Sequence, residues 1–150
     1  MAHKTRTMNR SQWAVGMTLI ELLMVVFILG SLVAVAVPNY RRAIEQVYFR
    51  EARGLLLTIY SGQRAYFFLN DFYFNNPTTM SQWRMIHMDD PNTTTSLPVT
   101  FAVTAAGTGG MATFTARATR SSGGPCSNLF QTVNEQKTLA GTWGSCPAAL

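Results

Sequence analysis

The chain has 150 residues, which is the length of about one domain. Hydrophobic residues make up 47% of the sequence and charged residues 13%, and so many apolar and aromatic side chains exclude a disordered chain. The net charge is +5, but three of the cations (Lys4, Arg6 and Arg10) precede Gly16, so the charge of the chain does not predict nucleic-acid binding.

The first forty residues contain a basic segment, a small residue and then an apolar run from Met17 to Val37. This run is close to the roughly 20 residues that span a bilayer. A secretory signal peptide has its cleavage site after the apolar core, whereas Gly16 precedes it here. Cleavage after Gly16 would remove a cytoplasmic leader, residues 1–16, and leave the apolar helix on the mature chain.

One acid, Glu21, lies near the start of the apolar run. A carboxylate in hydrocarbon costs about 2.5–3.5 kcal/mol on insertion scales, so Glu21 needs an interface, a cation or a role. Cleavage would give Met17 an α-amine about one helical turn away, and Glu21 can neutralise that amine or the amine of a neighbouring subunit. The alternative is an interfacial Glu that caps the helix through its dipole.

The sequence GMTLIELL at residues 16–23, followed by the apolar run, resembles the class III signal of type IV pilins and type II secretion pseudopilins. The likeness extends to Arg42 and includes Gly30 and Pro38. It implies that a prepilin peptidase cleaves after Gly16 and methylates the amine of Met17, and that Glu21 directs assembly. The leader is long for the type IVa subgroup, and Met8 is an alternative start.

The same resemblance implies partners and a location. The partners are other pilins, in a homo- or hetero-oligomer, and an inner-membrane assembly platform. Before assembly the chain lies in a bacterial inner membrane with its globular domain in the periplasm. After assembly it belongs to an extracellular pilus or a periplasmic pseudopilus.

Pro38 lies inside a helical pattern and is expected to kink or locally melt the helix. An unbroken helix from Met17 to about Leu69 would be about 80 Å long, so its second half must project and carry the globular domain. Charged residues of that half are expected off its apolar stripe, with Glu45 exposed near Arg41 and Arg42. The stripe recurs at steps of three and four and predicts a helix face packed on a sheet: Ile44, Tyr48, Ala52, Leu55, Ile59, Gly62, Tyr66 and Leu69.

Turn-forming residues end the helix, and residues 78–98 are expected to form a loop. Four side chains in this loop offer oxygen or nitrogen ligands: His87, Asp89, Asp90 and Asn92. Calcium takes about six to eight oxygen ligands, so this group is too small and we predict no metal site.

After Pro98 the apolar period changes to two. Residues 99–104 and 112–119 alternate on either side of a turn at residues 107–110, which predicts a β-hairpin with one buried face. Residues 129–133 and 137–143 are predicted as third and fourth strands. An antiparallel sheet on the helix stripe gives an α+β fold, with a membrane and filament-core helix at 17–40 and a globular domain at 41–150. The resemblance to pilins implies the same fold.

The two cysteines, Cys126 and Cys146, bracket the last predicted hairpin. Without CxxC spacing or a nearby His, they do not indicate zinc. Export to an oxidising compartment favours a disulfide. The resemblance to pilins implies a C-terminal disulfide loop, residues 126–146, that bounds a receptor-facing or subunit-facing surface.

The sequence predicts no catalytic residues and no cofactor. After the leader only one His remains, His87, and no Ser/His/Asp set, phosphate-binding loop or Cys/His pair can be assembled. Three functions stay open: a major or minor type IV pilus subunit for adhesion, twitching motility or DNA uptake; a type II secretion pseudopilin; and a single-span anchored binding module. The paired cysteines favour the first, and nucleic-acid binding stays undecided.

Overall fold

The computed structural model describes residues 17–121 and 123–146. The predicted leader, including Gly16, lies outside the described residues. The chain divides into an N-terminal unit that ends at Val37 and a C-terminal unit that begins at Pro38.

The first helix, α1, runs from Leu19 to Asn70 and contributes to both units. Pro38 lies inside it, and the residues on both sides are helical. The kink predicted at Pro38 stays a prediction. The helix ends where Asp71 adopts a left-handed backbone with φ of 63° and its N–H donates to the carbonyl of Phe67 at 2.8 Å, a common way to end a helix.

A four-stranded antiparallel sheet forms the other layer of the C-terminal unit. Its strands are β1 (Val99–Ala106), β2 (Thr113–Arg120), β3 (Phe130–Asn134) and β4 (Leu139–Gly141), and they lie in the order β1-β2-β3-β4. Strands β1 and β2 alternate between buried and exposed residues along most of their length. The predicted hairpin with one buried face is therefore confirmed. The fourth strand is shorter than predicted because Trp143 lies in a 3-10 turn that follows it.

The core lies between this sheet and the second half of α1, so the α+β fold class is confirmed, in an arrangement like that of pilins. Helix residues Ala52, Leu56 and Ile59 are fully buried. They belong to one core cluster with inward side chains of the strands, among them Phe101, Val103, Phe114, Ala116, Ala118 and Val133.

The buried face of α1 is rotated relative to the predicted stripe. Its buried residues are Glu45, Ala52, Leu56, Ile59, Gly62 and Gln63. Leu69, predicted to be on the stripe, is 78% exposed. The apolar period misses this face because two of its members, Glu45 and Gln63, are polar. The Gln63 amide bonds the backbone of Phe74 in both directions, each at 2.9 Å, which satisfies it in the core.

Residues 78–98 are not entirely loop, as predicted, but contain two short helices, α2 (Met80–Met85) and α3 (Pro91–Thr94). Helix α2 begins where the Gln82 side-chain oxygen accepts from the N–H groups of Thr78 and Thr79. Helix α3 begins where Asp90 accepts from the N–H of Asn92 at 2.9 Å. Elements of six and four residues are too short for periodicity to detect, whereas their capping residues are a usable signal.

The edge of β1 that faces away from β2 is hydrogen-bonded to side chains and to the backbone of a loop. The Asn92 amide bonds both backbone groups of Phe101, at 2.7 and 3.1 Å. The Asn75 side chain accepts from the N–H of Ala105 at 3.0 Å, and the N–H of Asn76 donates to the carbonyl of Val103 at 3.1 Å. These contacts hold the loop after α1, and α3, against the sheet.

Candidate functional site

The N-terminal unit presents an uncovered apolar surface. All of its described residues are exposed, with Leu19 at 78% and Phe27 at 79%. The most apolar 18-residue window of α1 has a mean hydropathy of 2.7 and none of it is buried. Within the described chain, α1 is the one helix long and apolar enough to cross a membrane. A surface of this kind requires lipid or other apolar helices around it.

Glu21 is part of a capping box at the start of α1. Its Oε2 accepts from the backbone N–H and from the hydroxyl of Thr18, each at 2.8 Å. The Thr18 hydroxyl in turn accepts from the N–H of Glu21 at 3.3 Å. This reciprocal pair satisfies N–H groups that have no partner in the first helical turn.

This geometry bears on both interpretations of Glu21. The carboxylate caps the helix, as the alternative interpretation expects, although through hydrogen bonds as well as the dipole. Both bonds from Thr18 use Oε2, so Oε1 remains available to accept from an ammonium group. Pairing with the amine of Met17, in the same or a neighbouring subunit, stays a prediction. The pattern Thr-x-x-Glu before an apolar run is a capping-box signature that the sequence analysis did not use.

The disulfide joins Cys126 to Cys146, whose Cα atoms are 5.8 Å apart. Both half-cystines are buried, and the bond closes over β3, β4 and the 3-10 turn. Trp143 in that turn is fully buried, and its ring meets Phe49 of α1 edge-on with centroids 5.7 Å apart. The C-terminal segment is thereby packed on α1.

Glu45 was expected on the exposed helix face, and this prediction is wrong. It is 3% exposed and forms a two-pronged ion pair with Arg120, at 2.8 Å (Oε1 to Nη2) and 3.1 Å (Oε2 to Nε). The remaining Nη1 of Arg120 donates to the carbonyls of Pro98 and Ser121, at 3.1 and 3.2 Å. The pair joins α1 to the end of β2.

The position of Arg120 was recoverable from the sequence. Residues 114, 116 and 118 of β2 are buried, and the alternation predicted for residues 112–119, continued by one residue, puts residue 120 on the same face. A buried arginine requires an acidic partner. Glu45 lies on the buried face of α1 at a spacing of seven from Ala52, or two helical turns.

The ion pair lines an open groove of about 970 Å³ in the C-terminal unit. Arg41, Arg42 and Tyr48 of α1 line the same groove. A side chain at Gly124, which also lines the groove, would overlap the carboxylate of Glu45 and the guanidinium of Arg120. Glycine at this position therefore leaves room for the ion pair.

The four residues considered as metal ligands serve other contacts or lie apart. Asp89 pairs with Arg84 at 3.3 Å, Asp90 caps α3, and Asn92 bonds the backbone of Phe101. His87 is exposed in the turn after α2 and has a φ of 59°. Among the residues that the structure describes, no three His, Cys, Asp or Glu side chains are grouped so as to hold a metal ion.

Comparison with known proteins finds no matching family model, no matching curated protein and no matching solved structure. The function of the chain must therefore be argued from its own residues. Two features carry that argument: the uncovered apolar helix that begins with the Thr18–Glu21 capping box, and the α+β unit that follows it.

Proposed function

We propose that this chain is a structural subunit of a type IV pilus, major or minor, that polymerises through its N-terminal helix. The observation that carries the proposal is the fully exposed apolar surface of residues 17–37 with one carboxylate at its start. A plain membrane anchor needs that carboxylate only as a helix cap, whereas an assembling helix also needs it as the partner of a positive amine. The resemblance of residues 16–23 to the class III signal and the pilin-like fold support the same conclusion.

The proposed pathway has two steps. First, the chain is inserted with its leader on the cytoplasmic side, and a prepilin peptidase cleaves after Gly16 and methylates Met17. The new terminus carries a positive charge at the start of an apolar helix. Second, the helix leaves the lipid for a bundle of identical or related helices, where apolar side chains replace lipid tails around residues 17–37.

In the second step, Glu21 sets the axial offset between neighbouring helices. An ammonium group that enters an apolar bundle needs an acidic partner, because removing one member of a buried pair costs about 3–5 kcal/mol. The Oε1 of Glu21 can accept from the Met17 amine of the neighbouring subunit while Oε2 keeps its bonds to Thr18. One axial offset between neighbouring helices satisfies this contact.

The C-terminal disulfide favours a pilus over a secretion pseudopilus, by the resemblance stated above. Cys126 and Cys146 fasten the last hairpin and its 3-10 turn to the unit. A surface subunit exposed to shear and to extracellular conditions benefits from such a bond, which contributes about 3 kcal/mol for a loop of this size.

The test is to locate the chain and read its N-terminus in the native organism. We expect mass spectrometry of filaments sheared from the cell surface to find a chain that begins at methylated Met17. A processed chain confined to the envelope, with secretion lost when the gene is deleted, would instead identify a pseudopilin. An uncleaved chain, still carrying Trp13, would identify an anchored module and contradict the proposal.

A further inference from the structure

Two arginines at the start of the C-terminal unit have no acidic partner among the residues that the structure describes. Arg41 and Arg42 are exposed and line the groove described above. Glu45 is the one acid among the described residues of the groove wall, and both of its oxygens are bonded to Arg120. Three arginines and one glutamate leave an excess of two positive charges in the groove.

The chemistry of the groove suits a phosphate. A guanidinium group offers parallel N–H donors that match two oxygens of a phosphate, and two adjacent arginines supply two such forks. The groove is open and, at about 970 Å³, has room for a phosphodiester with its glycerol. Gly123 and Gly124 border it without side chains.

The place of these arginines along the chain identifies the source of the phosphate. Arg41 and Arg42 follow the apolar run, which ends at Val37, by four and five residues. At 1.5 Å per helical residue this is about 6–8 Å. The headgroup layer on each side of a bilayer is about 5–8 Å thick. If residues 17–37 span the hydrocarbon, this separation along the chain brings Arg41 and Arg42 within reach of the lipid phosphates.

We propose that the groove lined by Arg41 and Arg42 binds the headgroup of an anionic phospholipid while the unassembled subunit lies in the membrane. The inference rests on the membrane stage of the proposed function. Cleavage after Gly16 removes Lys4, Arg6 and Arg10. The arginine pair then supplies an electrostatic anchor that processing does not remove, on the other side of the bilayer.

The test uses the mature full-length chain purified in a neutral detergent. Equal amounts of phosphatidylglycerol and phosphatidylcholine are added, and native mass spectrometry counts the retained lipids. Two arginines near an anionic lipid surface correspond to a preference of about 30-fold for phosphatidylglycerol. We expect Arg41→Gln/Arg42→Gln to reduce this preference to near equality.

Arg50→Gln/Arg53→Gln is the matched control. It removes the same charge from exposed positions of the same helix, but at about 20–24 Å beyond Val37. This variant should keep the lipid preference. Equal retention of both lipids by the wild-type chain would overturn the inference, and so would an equal loss in both double variants. Displacement of the lipid by excess inorganic phosphate would mark a general anion site and also overturn it.

The Glu21→Gln chain separates this inference from the proposed function. It should remain in the membrane and keep the lipid preference although it does not assemble. Loss of lipid preference with normal filaments would contradict the headgroup site alone. Cross-linking of Arg41 to an acidic residue of a neighbouring subunit, in a chain without lipid preference, would assign the groove to assembly instead.

Discussion

At the scale of single residues, the two oxygens of Glu21 have different surroundings. Oε2 accepts two hydrogen bonds from Thr18, and Oε1 accepts none from Thr18. The capping role needs only an acceptor, which a glutamine also supplies. The proposed pairing with a positive amine needs the charge. The two roles can therefore be separated by one substitution.

Glu21→Gln should leave membrane insertion and cleavage at Gly16 intact but stop or severely slow filament assembly. The glutamine keeps the shape and an acceptor for Thr18, but the Met17 amine would enter the bundle unpaired, at a cost of about 3–5 kcal/mol. Glu21→Asp, one methylene shorter, should lose assembly in part. The measurement is the amount of chain in sheared filaments relative to the membrane fraction.

Glu51→Gln is the control for that experiment, because Glu51 is an exposed glutamate of the same helix. It should assemble normally. Glu45 does not serve as a control because it is buried in an ion pair. Wild-type levels of Glu21→Gln in filaments would show that the carboxylate acts only as a helix cap.

The Glu45–Arg120 pair carries a second prediction at this scale. Glu45→Gln should lower the free energy of unfolding by about 3–5 kcal/mol, because it leaves the Arg120 guanidinium buried without a counter-charge. Glu45→Leu with Arg120→Met should recover much of that loss. Denaturant unfolding of the detergent-solubilised chain measures both variants, and Glu51→Gln should stay within about 0.5 kcal/mol of wild type. A Glu45→Gln chain as stable as Glu51→Gln would contradict the role of the pair.

At the scale of elements, close contact between α1 and the end of α2 depends on one glycine. Gly62 is buried, and a Cβ there would overlap the carbonyl oxygen of Ile86. Gly54, on the same helix, has nothing within 4 Å of its Cβ position. The two glycines differ in their surroundings but not in their secondary structure.

Gly62→Ala should therefore destabilise the chain by about 1–3 kcal/mol, the usual cost of overpacking. Gly54→Ala should stabilise it by about 0.5–1 kcal/mol, since alanine favours the helix and meets no obstacle. The two changes have the same chemistry, so opposite shifts in the denaturant midpoint would isolate the contact with Ile86. Equal shifts of one sign would contradict it.

Much of the fold was predictable because its long elements have clear periods. The alternation after Pro98 predicted β1 and β2. The apolar pattern predicted that α1 continues beyond Pro38. The predictions missed polar residues that lie in buried positions. Glu45 and Gln63 interrupt the apolar stripe of α1, and each is satisfied by a partner distant in sequence, Arg120 or Phe74. The alternation of β2 indicates that Arg120 is buried, but the choice of partner for each buried polar residue depends on tertiary structure.

At the scale of the whole molecule, the two units differ in apolar surface and in charge. Residues 17–37 carry a continuous apolar surface with one acid, and every Lys and Arg side chain after Gly16 follows Val37. The proposed removal of the leader would take three of the 12 Lys and Arg residues and none of the 7 acids, which would lower the net charge from +5 to +2. The disulfide and the buried ion pair both lie in the C-terminal unit, whose stability can be measured without assembly.

The side-chain contacts along the outer edge of β1 have a consequence for how copies of this chain associate. A bare strand edge is a template for strands of other molecules, and crowding of many copies makes such pairing a hazard. Here the outward groups of Phe101, Val103 and Ala105 are bonded to Asn92, Asn76 and Asn75. The other edge is β4, which is only three residues long. Amyloid-like stacking of copies through the sheet is thereby discouraged, which suits the proposed association through the helix.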